Sequence, residues 1–249
     1  MAAWATVSSL GLVKPWLLPS PRAVLGSLWD GLTDGLGGAV GGHPMGSLPW
    51  GVLLSLRRLL VGYGISLVAG VLLGLGLARS RLLDESVGTV VLGLQALPSI
   101  CWMPLAILWF GLSEAAVLFV VIAGSLLAVT VATESGVRNV PPLYLRAART
   151  LGARGFTLYA RVLLPAALPG IITGMKLGWT FAWRSLMAGE LIYVAGGIGQ
   201  LLKTGEDTGD MARVVAVMLV IVAIGLVVET LVFARIERRV RERWGYDRA

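Results

Sequence analysis

The chain has 249 residues, of which 56% are hydrophobic and only 14% charged, with a mean hydropathy of +0.81. Soluble globular domains carry about a quarter charged residues, so a water-soluble enzyme is excluded, as are a disordered chain and a three-residue collagen period. One cysteine, Cys101, rules out an internal disulfide, Cys101 with the lone His43 cannot make a structural zinc site, and the net charge of +7 must be read against a membrane first.

The first 49 residues hold no complete membrane span, and Met1–Leu18 lacks the basic start and sustained apolar run of a signal peptide. From Pro21 onward Val24, Leu25, Leu28, Leu32 and Leu36 recur near helical spacing, which predicts an amphipathic helix lying on the outer surface. A crossing needs about 20 mostly apolar residues. Four segments meet this plainly: Trp50–Ala78, Val87–Phe110, Glu114–Thr133 and Met211–Ala234. A fifth, Val162–Val194, is long enough but carries Lys176, Arg184 and Glu190. The expectation is an all-α integral membrane protein, a multi-pass bundle of five visible spans. A transmembrane domain covers 50–234, and a basic tail follows at 235–249.

Orientation follows from the arginines. Arg79 and Arg81, the five arginines of Gly136–Arg161 and the six of the tail (Arg235 to Arg248) fall on one side, which must be the cytoplasm. Glu206, Asp207 and Asp210 fall on the other. The excess charge is therefore mainly a topology signal, and nucleic acid is not an expected partner. Five spans put the N-terminus outside. Either the short N-terminus crosses unaided, or a sixth span precedes residue 1.

Small residues line one face of two spans: Gly62, Ser66, Gly70, Gly74 and Ala78 in the first, and Gly170, Gly174, Gly178 and Ala182 in the fifth. Such spacing lets a neighbouring backbone approach closely. The opposite face of the fifth span carries Lys176, Trp179, Trp183, Met187 and Glu190, with Arg184 on its flank. Ionisable groups at membrane depth face a cavity or a partner. Lys176, Trp179, Trp183, Arg184 and Glu190 are thus candidates for a translocation pathway, with a buried ion pair and snorkelling as the alternatives. For Arg184, Glu190 lies about 240° round the same helix and Glu229 too deep. An acid of another subunit or a passing anion remains.

The most informative stretch joins the third and fifth of these segments. Pro141 and Pro142 open a short helix through Leu143–Leu151, Gly152 permits a sharp turn, and an amphipathic piece runs to Leu164 before Pro165 and Pro169 mark the membrane boundary. A short hinged helix on the cytoplasmic face suits docking of a soluble partner. A loop that merely lies on the surface is the alternative.

Here the chain resembles a known family. Ala147-Ala148-x-x-x-Gly152 followed by Val162-x-Leu164-Pro165 is similar to the coupling loop of ATP-binding-cassette importer permeases. Leu18-Pro19-Ser20-Pro21, Leu97-Pro98 with Pro104-Leu105, Trp109-Phe110-Gly111 and Phe181-Ala182-Trp183-Arg184 through Glu190 resemble its nitrate/sulfonate/taurine branch. The resemblance implies a coupling loop over 136–162, with Tyr144, Leu145, Arg146, Ala147, Ala148 and Gly152 seated on an ATPase. It also implies a second permease copy, an extracytoplasmic binding protein and a location in the cell (inner) membrane. ATP and Mg would be bound by the partner subunit, since this chain has no phosphate-binding Gly-x-x-x-x-Gly-Lys-Ser/Thr loop. Two departures stand out. Arg146 replaces the family's acidic residue, and the span that usually precedes the Leu-Pro-Ser-Pro segment is not in the sequence, with Trp4 a candidate for its stub. A secondary transporter or channel would need no ATPase but should show repeated halves, and none is visible. A membrane enzyme would need converging catalytic groups, whereas His43 reads as a turn residue and Cys101 as an apolar filler.

Overall fold

The computed structural model describes Trp4 and residues 18–33, 47–193 and 196–244, so Leu36 and His43 lie outside the described residues. The helices in chain order are α1 (Pro21–Thr33), α2 (Leu48–Arg79), α3 (Arg81–Gln95), α4 (Ser99–Phe110), α5 (Glu114–Arg138), α6 (Pro142–Thr150), α7 (Gly155–Ile192), α8 (Ile198–Asp207) and α9 (Met211–Val240). Four of them, α2, α5, α7 and α9, are long and apolar enough to cross a membrane.

The expected second span is different in kind. α3 and α4 meet at 104°, so Val87–Phe110 is a broken crossing and not a straight one. Pro98 explains the elbow, because it has no N–H to give and holds an extended conformation between Gln95 and the next turn. The pair still traverses the bundle. Its start is tied to the inner end of α5 by Arg138–Asp84 at 2.7 Å, and its end leads directly into the N-terminus of α5. Ser113 caps that terminus by accepting the Ala116 N–H.

α5 is the axis of the fold, and both small-residue stripes face it. A Cβ added at Gly70 would meet Val129 at 2.9 Å, and one at Gly74 the Thr130 carbonyl at 2.6 Å. On the other side, one at Gly174 would meet the Ala132 Cβ and one at Gly170 the Gly136 Cα, each at 2.6 Å. Three helices thus pack with backbones nearly in contact, gaining the dispersion that lipid tails cannot supply.

α7 corrects a second expectation. The amphipathic piece and the span are one continuous helix of 38 residues. The widened turn Tyr159–Leu163 immediately precedes Leu164-Pro165 and accommodates the proline without ending the helix. α1 buries Val24 and leaves Leu25, Trp29 and Leu32 exposed.

Candidate functional site

The inner end carries the docking candidate. α6 is held by Leu145, which packs against Val137, Val140, Leu163 and Ala167 at the inner ends of α5 and α7, and Ala148 on the same helix is buried as well. Its C-terminus closes in a Schellman turn. The Ala153 N–H donates to the Ala148 carbonyl at 2.9 Å and the Gly152 N–H to that of Arg149 at 3.0 Å, with Gly152 at φ +87°. A second positive φ, +54° at Gly155, starts α7. Everything else on this helix points outward: Leu143, Tyr144, Arg146, Ala147 and Arg149 are exposed. Leu151 is 88% and Phe156 86% exposed at the tip. Two large apolar side chains thus stand exposed beside a row of arginines, the kind of patch that marks interaction sites.

The outer end is the opposite. Glu190, wholly buried, faces Arg58 of α2, 2% exposed, at 3.1 Å. Ser55 donates its hydroxyl to the same carboxylate at 2.7 Å and accepts the Ile198 N–H at 2.8 Å. The Gly199 N–H donates to Glu190 at 3.0 Å, and Arg58 also donates to the Gly196 carbonyl at 2.7 Å. Glu114, at the start of α5, lies 3.6 Å from the Arg58 Nε. The chain turn at Gly197 (φ +123°) passes so close that a Cβ there would strike the carboxylate at 2.6 Å. The cluster binds α2, α5, α7 and α8 into one cap. Arg58 and Ser55 were not among the sequence candidates. The visible signal was an arginine and a serine three residues apart within the first span, opposite the one acid in the fifth.

Between the ends, the five candidates of α7 separate. Glu190 takes the buried-pair alternative. Trp179 is inside the chain, edge-on to Tyr63 at 5.4 Å and beside Phe233 at 6.1 Å. Trp183 and Met187 fill the core between α2, α8 and α9. Lys176 pairs with Glu229 of α9 at 2.9 Å. Arg184 alone is exposed, on a stripe with Thr173, Leu177 and Thr180, and forms no ion pair with any described residue. Beside that stripe a cavity of about 360 Å³ is lined by Gln95, Ser135, Asn139 and Thr173, with Gly136 and Gly170 in its wall. At the elbow, Ser99 and Ser185 both approach Gly124, and the buried Ser185 hydroxyl has no hydrogen-bond partner among the described residues.

Comparison with known proteins matches this architecture. The chain is 32% identical over 244 residues to an Escherichia coli (strain K12) permease named for aliphatic sulfonates transport, covering 98% of this chain and 88% of that one. It is 29% identical over 92% of its length to the taurine transport system permease of the same organism, and covers 81% of it. The nitrate import permease of Leptolyngbya laminosa is 28% identical over 85% of this chain and 75% of the relative. Among solved structures, an inward-facing form of the MetNI methionine ABC transporter superposes with a TM-score of 0.67 at 22% identity, over 76% of this chain and 94% of that one, which shows the shared fold. The family model for binding-protein-dependent transport system inner membrane components matches residues 66–242, and the chain belongs to that family.

Proposed function

We propose that the chain moves a small oxyanion-type solute, such as nitrate, taurine or an alkanesulfonate, through the membrane at the expense of ATP hydrolysed by a partner. The names of the relatives support the solute class. The α6 surface carries the rest of the reading. Leu151 and Phe156 need a cover, and the chain has no phosphate-binding loop of its own. Closure of two ATPases around ATP would pull the two α6 helices of a permease dimer, and α5 with α7 would tilt as rigid bodies to alternate access. Tyr144, Arg146, Ala147 and Gly152 meet the ATPase in this scheme, while Leu145 and Ala148 anchor the helix to the spans.

The pathway lies on the outward stripe of α7, with Arg184 the cation that meets the passing anion or an acid of the second permease copy. Lys176, Trp179, Trp183 and Glu190 then act from behind it, holding α7 in place. A binding protein would deliver the solute to the outer cap. Proteoliposomes holding the permease, its ATPase and its binding protein test this. Uptake of labelled taurine, alkanesulfonate or nitrate should require all three proteins and ATP. Uptake driven by an ion gradient without the ATPase would favour the secondary-transporter reading.

A further inference from the structure

At the outer surface, α1, α8 and the first turns of α9 enclose a cavity of about 360 Å³ remote from α6 and from the exposed stripe of α7. Its polar lining is Ser27 and Asp30 from α1 with Asp210 and Arg213 from the start of α9. We infer that this cavity holds the headgroup of an outer-leaflet phospholipid bearing a primary ammonium, phosphatidylethanolamine in chemistry. Arg213 takes the phosphate, and Asp30 with Asp210 takes the ammonium.

Depth argues first. Asp210 caps α9 by accepting the Arg213 N–H at 3.0 Å, so Arg213 sits in the first turn. One to three turns further on, Met218, Leu219 and Val222 are exposed, a surface that acyl chains suit. Arg213 is therefore at the level of the headgroups. The flank of the cavity says the same. α1 buries Val24 and packs Leu28 against the cluster of Leu48, Leu201 and Val217. It turns Leu25, Trp29 and Leu32 outward at i, i+4 and i+7, and a tryptophan beside aliphatic side chains marks a membrane–water interface.

The lining then selects the headgroup. Ala23 and Gly26 of α1 face Ala212 and Ala216 of α9, and these small side chains leave the space open. At ~30 Å³ per water the space equals about a dozen waters, enough for a phosphoethanolamine group. Asp30 and Arg213 line the same space, and neither forms an ion pair with a described residue. One cation and two acids match a zwitterion. A primary ammonium donates three hydrogen bonds, which two carboxylates can accept, whereas a quaternary choline donates none. Guanidinium is the natural partner of the phosphate.

The inference stands apart from the transport reading, and its test needs no transport. The assembled permease–ATPase complex is placed in nanodiscs of anionic lipid mixed with either phosphatidylethanolamine or phosphatidylcholine, then extracted and weighed by native mass spectrometry. One phosphatidylethanolamine per permease should survive extraction, at least tenfold more often than phosphatidylcholine. Arg213→Gln and Asp30→Asn should each reduce that retention about tenfold. Gly26→Leu fills the cavity at a position where an added Cβ meets nothing within 4 Å, so it should abolish retention while the complex still elutes intact. Equal retention of the two lipids, or retention unchanged by Gly26→Leu, overturns the site. Displacement of the lipid by soluble phosphoethanolamine alone also overturns it, in favour of a site for a free phosphorylated amine.

Discussion

The two ends of the molecule treat charge in opposite ways. At the outer end Arg58 and Glu190 are sealed from water and every polar atom of the carboxylate is engaged by Ser55, Arg58 or Gly199. At the inner end the arginines of α6 stand in water beside exposed Leu151 and Phe156. A buried cluster whose carboxylate is fully engaged fixes one arrangement, because removing a partner leaves a charge with no solvent. An exposed surface around a hinge at Gly152 and Gly155 is fit to be moved by something else.

The sharpest way to break the contrast is to remove one side of the sealed pair. Arg58→Ala leaves Glu190 without its cation, and the loss expected is about 3–5 kcal/mol. Thermal unfolding of the detergent-extracted complex should show it, and replacing both Arg58 and Glu190 by methionine should restore much of it. If the single variant melts like the parent, the cluster is not what closes the outer cap.

Next in size is Gly174→Leu, which drives a side chain into Ala132 where a Cβ alone would sit at 2.6 Å. Overpacking of this kind costs about 1–3 kcal/mol. A lower melting temperature with unchanged subunit stoichiometry is expected, and an unaltered melt would mean that α5 and α7 are not pressed together there.

At the inner end the expected effects fall on coupling more than on stability. Gly152→Val meets open space but must adopt φ +87°, at a strain of roughly 1–2 kcal/mol. Transport should fall severalfold while ATP hydrolysis continues, whereas equal losses in both would mean that the turn matters only for folding. Arg146→Glu is milder. If the ATPase groove is acidic to match Arg146, association measured by pull-down should weaken several-fold, and equal or tighter association would leave Arg146 a solvent-facing side chain. The smallest effect belongs to Lys203→Met. Its ion pairs with Asp207 and Glu206 on the solvent-facing side of α8 lift the ammonium above its ordinary pKa, yet such surface pairs contribute little. A melting temperature within error of the parent is expected.

Much of the fold was legible because apolar length and arginine placement report directly on the bilayer. Both glycine stripes could be read at fourfold spacing, and both face α5. The elbow was missed because apolar content is continuous through Leu97-Pro98, although Pro98 itself was the signal. The unbroken start of α7 was missed for the converse reason. Pro165 looks like a terminus, and only a widened turn before it lets the helix run on. The short helix α6 was readable between Pro142 and Gly152 because its turn residues are local. The partner of Glu190 was not, since Arg58 lies 132 residues away in the chain and only packing brings the two together.

The meeting of Gly136 and Gly170 has a mechanical consequence. Backbones in contact there splint the inner ends of α5 and α7, the two helices from which α6 hangs. In the proposed ATPase-driven cycle, a pull on α6 would act on the two helices as one body at that crossing. α7 alone, at 38 residues, is about 57 Å long, and a tilt of about 5° about its midpoint swings each end by roughly 2.5 Å. In that cycle the close Gly136–Gly170 crossing would serve as a clamp on a lever arm, carrying a small tilt at the α6 end to the end near Glu190.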